Sequence, residues 1–326
     1  MELKPLDYKL LAYLYHNNRE PITRIAKATG LSRDQVEYKI NKWIKEGFIK
    51  KFVTIFNYPK LGYNKFVVIL FNVRDENLPN FLKSLEIDKN CVSIGENIGN
   101  YNVYGNFIFK DGDDMVEYYT KFFEDNKDII LNYNIFEPFF SEIYPMKPIE
   151  NKDKKSYRFD EKSNSIEKLS KGDEKILSLL EKDGRMKLVD IAHEVGISAE
   201  LAFHKIRKFL KKWIVLGNSL DFDFKKLGYS YSVILINVNN LSLKNQNKIK
   251  KFAKENDHIN SIILTFGKPN CMLQVFHKEQ EILLQVIKDI KRLLGPDFHS
   301  YDLMFPQREH KLNTLPFMGK WKLAKN

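Results

Sequence analysis

Cysteine is almost missing from this chain. Cys91 and Cys271 are the only two in 326 residues, they form no Cys-x-x-Cys pair, and neither is grouped with a histidine. This argues against a disulfide framework and against a cysteine-bound zinc, and it suits a reducing compartment in which both thiols act as small buried hydrophobes. Histidine is also sparse: the seven residues are scattered, with neither metal-ligand spacing nor a serine placed to form a triad. No stretch of about 18 apolar residues occurs to span a membrane. Between Met1 and Leu14 the charges of Glu2, Lys4, Asp7 and Lys9 break the apolar core a signal peptide needs. The expectation is a cytoplasmic protein, neither exported nor membrane-spanning, with no metal and no cofactor.

What the chain does have is a core and an excess of positive charge. Apolar residues make up 43% and charged residues 29%, the balance of folded domains and not of a disordered chain. The formal charge of +11 favours an anionic partner, and nucleic acid is the commonest one for a soluble basic protein. Lysine-rich composition also follows from an AT-rich genome, so motifs must decide.

A tandem repeat organises the sequence. At one constant offset Asp7 recurs as Asp173, Leu11 as Leu177, Ile25-Ala26 as Ile191-Ala192, Gly30 and Ser32 as Gly196 and Ser198, Lys39-Ile40 as Lys205-Ile206, and Leu61-Gly62-Tyr63 as Leu227-Gly228-Tyr229. A register held without gaps over that span marks a duplicated unit. Asn151 to Gly172 is rich in charge and serine and reads as a solvated linker.

Within each unit the period changes from helical to strand-like. Leu6, Leu10, Leu11 and Leu14, then Ile22, Ile25 and Ala26, then Val36, Ile40, Trp43 and Ile44 fit three helix faces. Phe48 to Phe56 is predicted as a hairpin, the wing. Strands and helices then alternate as Lys65–Val73, Leu78–Leu85, Cys91–Ile98, Val103–Lys110, Met115–Phe123 and Ile130–Phe140, the split βαβ or ferredoxin-like order. The second copy repeats it at Ser232–Val238, Leu243–Asn256, Ile259–Thr265, Cys271–His277, Gln280–Leu294 and Phe298–Phe305. The fold class is α+β: two winged helix-turn-helix domains (1–62 and 172–228) alternating with two ferredoxin-like βαββαβ domains (63–148 and 229–326, the latter with a C-terminal tail), and a charged linker at 149–171.

Ile25 to Ser32 carries the chemistry. Ala26 allows two helices to approach, Gly30 can take positive φ where the first helix stops, and Ser32 can cap the next. The helix that follows presents Arg33, Gln35, Tyr38, Lys39 and Lys42 on the side a recognition helix turns to the major groove, where Arg and Gln read base edges and Lys holds phosphates. Lys50 and Lys51 on the wing suit the flanking backbone. In the second copy Ala199, Glu200 and Leu201 replace Arg33, Asp34 and Gln35. Base reading there is in question, while His204, Lys205 and Lys208 keep a polar face suited to phosphate contact or to a purely structural role.

These residues, with Leu6-Asp7, Gly47-Phe48-Ile49 and the two Leu-Gly-Tyr turns, resemble the Lrp/AsnC or feast/famine family of regulators over nearly both units. In the second unit Trp213 stands where the wing glycine is expected. The resemblance implies an archaeal-type regulator of double-stranded DNA whose paired sensing domains pack sheet against sheet. It further implies a small, amino-acid-like effector near a Gly-x-x-Asp loop. Here that loop reads Gly99-Asn100-Tyr101-Asn102 and Gly267-Lys268-Pro269-Asn270, so Gly99, Tyr101, Asn102, Gly267 and Asn270 are the candidate effector residues, with asparagine replacing the acid that would pair with an ammonium. Tight-turn duty explains the same residues. Two complete units predict pairing inside one chain, and assembly into a homodimer stays open.

Two other readings stay open beside the regulator. One is an architectural DNA-binding or protein-interaction module. The other is a siroheme-decarboxylase-like enzyme, since such enzymes resemble this family; they carry a strand rich in histidine and arginine, and Tyr101 to Lys110 contains neither. No catalytic residue is nominated.

Overall fold

The computed structural model describes residues 2–144, 146, 147, 149, 156–158 and 166–318. Three helices come first, α1 (Pro5–Asn17), α2 (Ile22–Thr29) and α3 (Arg33–Lys45), followed by β1 (Ile49–Phe56). Then come β2 (Lys65–Val73), α4 (Leu78–Ile87), β3 (Cys91–Ile98), β4 (Val103–Phe109), α5 (Gly112–Asp125), β5 (Ile130–Phe136), β6 (Pro138–Ile143) and the short β7 (Tyr157–Arg158). The second copy supplies α6 (Lys171–Lys182), α7 (Leu188–Val195), α8 (Ala199–Lys211) and β8 (Val215–Phe222). It ends with β9 (Ser230–Val238), α9 (Leu243–Glu255), β10 (Ile259–Thr265), β11 (Cys271–His277), α10 (Gln280–Leu294) and β12 (Phe298–Leu312). No helix among the described residues is long and apolar enough to cross a membrane.

The chain forms two compact units that do not correspond to its two copies. The two helical heads make one unit and the two sheet domains make the other. Most of the linker expected at 149–171 lies outside the described residues; of the rest, Tyr157 is buried and β7 pairs with β6.

In the head unit the expected hairpin wing is corrected. Ile49 to Phe56 has no Gly, Asn or Pro on which to turn, so β1 runs straight and pairs antiparallel with β8 of the other copy. Each strand ends in the other head. Phe56 packs into the core of the second head with Leu177, Ile191, Ile206 and Phe209, while Phe222 meets Phe48 edge to face at 5.6 Å in the first. The turns after α1 and α6 cross-link the heads. Arg19 donates to the Gly184 and Met186 carbonyls at 2.8 and 3.1 Å, and Arg185 donates to the Asn18 carbonyl. Gly184 gives its own N–H to Phe52 O at 2.7 Å, and a Cβ there would stand 2.9 Å from that oxygen, so only glycine fits. The tail differs from expectation: β12 runs on to Leu312, and Leu315 and Phe317 pack on the second head's core. Residues 319–326 lie outside the described set.

In the sheet unit alternation along each strand builds two kinds of core. Val67, Ile69, Phe71 and Val73 of β2 face α4 and α5, and Ile234, Ile236 and Val238 of β9 face α9 and α10. The opposite faces, Val68 and Leu70 with Val233 and Leu235, meet in a third cluster completed by Phe136, Met272 and Met304. Sheet therefore packs on sheet, with helices outside. At about 1.5–3 kcal/mol per large buried side chain, these three clusters dominate the unit's stability.

The halves also exchange strands. Ile130 to Phe140, expected as one strand, breaks at Glu137: β5 pairs with β2, and β6 crosses to β10 of the other half. Reciprocally, β12 pairs with β9 through Phe298 to Met304 and with β3 from Phe305 onward. Pro138 and Pro306 sit at these crossings, where a residue with no N–H to give marks the change of partner.

Candidate nucleic-acid interface

The first head builds its helix-turn-helix as the residue types require. Gly30 ends α2 at φ 78°, giving its N–H to Ala26 O at 2.9 Å. Ser32 caps α3 by accepting from the Gln35 N–H at 3.2 Å, and Gln35 Oε1 accepts from the Ser32 N–H at 2.9 Å, a reciprocal capping box. The buried row on α3 is Val36, Ile40 and Trp43. Ile44, expected inward, is 46% exposed because it lies about 100° around the helix from Trp43. Leu6 is exposed as well.

The structure divides the nominated DNA-facing residues into two groups. Arg33 and Tyr38 stand exposed on the outer face of α3, Tyr38 at 67%; Lys42 lies 3.8 Å from Glu46, and Lys50 is exposed on β1. The others already have partners within the protein. Lys39 is held by Asp7, and Lys51 binds Glu181 at 2.5 Å, both with largely covered side chains. Gln35 is spent in part on the cap. The Asp7–Lys39 pair recurs as Asp173–Lys205 at 2.7 Å. Sequence reasoning missed this role, although a signal was present: both members of the pair repeat at the same offset. Burial raises the Asp173 carboxyl, but hydrogen bonds from Lys205 and Ser170 outweigh it and hold the group below the usual aspartate range.

The second head keeps the frame and changes the face. Gly196 again takes positive φ, at 75°, and Ser198 accepts from the Leu201 N–H at 3.1 Å. Outward from α8 stand Leu201 (44% exposed), Phe203 (42%), His204 at 3.7 Å from Glu200, and Lys208; Arg207 lies over the Phe203 ring. Trp213 takes φ 59°, nearly the 63° of its counterpart Gly47. A side chain in that region costs roughly 1–2 kcal/mol.

At the two loops nominated for an effector, the asparagines are bound to backbone. Asn102 Oδ1 accepts from the Val73 N–H at 2.9 Å and its Nδ2 donates to Val73 O at 2.7 Å; Asn270 does the same to Val238, at 2.8 and 2.9 Å. An aspartate could accept but not donate, so the amide is what allows each loop to clip both backbone groups of a neighbouring strand. Gly99 and Gly267 make the turns at φ 150° and 87°. Tyr101 packs against the cluster between the sheets.

A model described as winged helix-turn-helix DNA-binding matches residues 3–50, and one described as AsnC-type helix-turn-helix domain matches residues 169–201. An uncharacterized HTH-type transcriptional regulator of Pyrococcus horikoshii is 31% identical over 140 residues, which is 39% of this chain and 87% of that one. The HTH-type transcriptional regulator FL11 of Pyrococcus furiosus is 26% identical over 113 residues, 35% of this chain and 75% of its own length. Among solved structures, the siroheme decarboxylase NirDL shares the fold over 97% of this chain and 96% of its own, with a TM-score of 0.64 and 14% identity.

Proposed function

The chain belongs to the Lrp/AsnC family of DNA-binding transcription regulators, and from that premise we propose that its first head reads base pairs while its second head plays a different part. The observation that carries this is the outer face of α3, where Arg33 and Tyr38 are exposed beside Lys42 behind an intact Gly30–Ser32 turn. Arg33 supplies a guanidinium fork for a base edge, and Lys42 and Lys50 supply phosphate contacts. Lys39, Lys51, Lys205 and Gln35 serve the protein itself.

Genome-wide occupancy followed by binding of purified protein to a recovered site tests this reading. Arg33→Ala is expected to weaken the specific site by about 10- to 100-fold and to relax preference at one base pair. Lys50→Ala is expected to weaken all duplexes alike and to lower the salt slope by about one. Equal binding of all sequences by the native protein would make it an architectural coating protein instead.

We propose no enzymatic activity. The whole-chain fold shared with a decarboxylase favours a catalytic alternative, but the segment from Tyr101 to Lys110, which contains β4, offers neither His nor Arg to a carboxylate-bearing substrate. His277 of β11 is buried and bonded to Ser232 Oγ at 2.9 Å. Release of carbon dioxide from an iron-bearing tetrapyrrole by the purified chain would overturn this. For the loops we propose the role of strand clips. Asn102 and Asn270 have their amides engaged, so a thermal-shift screen of amino acids is expected to show no effector that depends on them.

A further inference from the structure

The two recognition helices carry different chemistry at equivalent positions. Arg33, Gln35, Glu37 and Tyr38 on α3 correspond to Ala199, Leu201, Phe203 and His204 on α8. Ile44 and Leu210 are exposed apolar residues in both copies, so they do not distinguish the heads. Leu201 and Phe203 do, because they place large apolar groups in water where the first head has polar ones. Beside them the exposed face carries Glu200 and His204 near the start of α8, and Arg207, Lys208 and Lys211 along its second half.

The pairing of β1 with β8 and the Arg19 and Arg185 cross-links hold both heads in one unit, so α8 travels with α3. Paired helix-turn-helix heads address successive major grooves, and the symmetry of the site follows that of its reader. Two like heads read an inverted repeat; these heads are unlike. In the major groove an apolar side chain has one base feature to recognise, the C5-methyl of thymine, while the cations behind it suit phosphates.

We infer that the operator is composite and non-palindromic, with one half-site read by hydrogen bonds from the first head and a thymine-bearing half-site read by methyl contact with Leu201, the counterpart of Gln35 near the start of α8. This rests on the reading of the first head as a base reader.

The test selects sites for the full chain from a random duplex pool and then replaces thymine by deoxyuracil in one half at a time, which removes only the methyl group. Each contacted thymine so changed in the second half is expected to weaken binding about four-fold, the effect of one buried carbon, with no change from the first half. Leu201→Gln is expected to diminish that sensitivity while leaving the first half-site's preference intact. A palindromic consensus, a second half with no base preference, or indifference to deoxyuracil in both halves would overturn the composite operator. Recovery of no preferred sequence would overturn the base-reading role of the first head instead.

Discussion

The two heads share a frame and differ in the face it presents. The frame is the same down to backbone angles: glycine at positive φ after α2 and α7, serine caps on α3 and α8, an aspartate–lysine pair, and a left-handed residue after each recognition helix. The faces have only part of their charge in common. Packing fixes the buried row, so a duplicated head keeps it, whereas exposed positions can change at little cost in stability. Likeness of frame is therefore a poor guide to likeness of ligand, and a frame residue such as Lys39 is easily mistaken for a reading residue.

The largest expected effect tests whether the frame depends on the link between heads. Gly184→Ala forces a Cβ to 2.9 Å from the Phe52 carbonyl and is expected to lower stability by about 1–3 kcal/mol, read as an earlier urea midpoint. An unchanged urea midpoint for Gly184→Ala would show that the Phe52 carbonyl gives way and that crowding is not what keeps glycine there.

A smaller effect contrasts the two left-handed positions. Trp213→Gly relieves a strained backbone and is expected to raise stability by about 1 kcal/mol, and Gly47→Trp to lower it by about as much or more. If Trp213→Gly destabilises, the packing of the indole outweighs the strain.

The smallest effect belongs to the charge pair. Asp173 has its pKa depressed in the folded protein, so its contribution is present above the unfolded value of about 4 and is lost as pH falls below it. Asp173→Asn is expected to cost about 1 kcal/mol at neutral pH and to flatten the acid limb of the stability curve. An unchanged acid limb would remove this pair from the account.

Local patterns made much of the fold legible. Lys65–Val73, Cys91–Ile98, Ile259–Thr265, Cys271–His277 and Gln280–Leu294 stand where apolar periodicity puts them. What periodicity does not contain is the identity of a strand's partner. That is why periodicity makes a hairpin of β1, gives no sign of the break before Pro138, and stops β12 at Phe305 when it continues onto β3. In the candidate site the turn and caps were legible because they are local chemistry. The engagement of Lys39, Lys51 and Lys205 was not, because each partner lies a helix or a whole copy away.

The exchange of β6 and β12 makes assembly of the sheet unit a unimolecular event. A protein assembled from separate subunits loses its partner on dilution, since its stability is tied to protomer concentration. Here the second half is always present at the high effective concentration set by the connecting chain. A handful of molecules would remain as completely paired in the sheet unit as a concentrated solution of them.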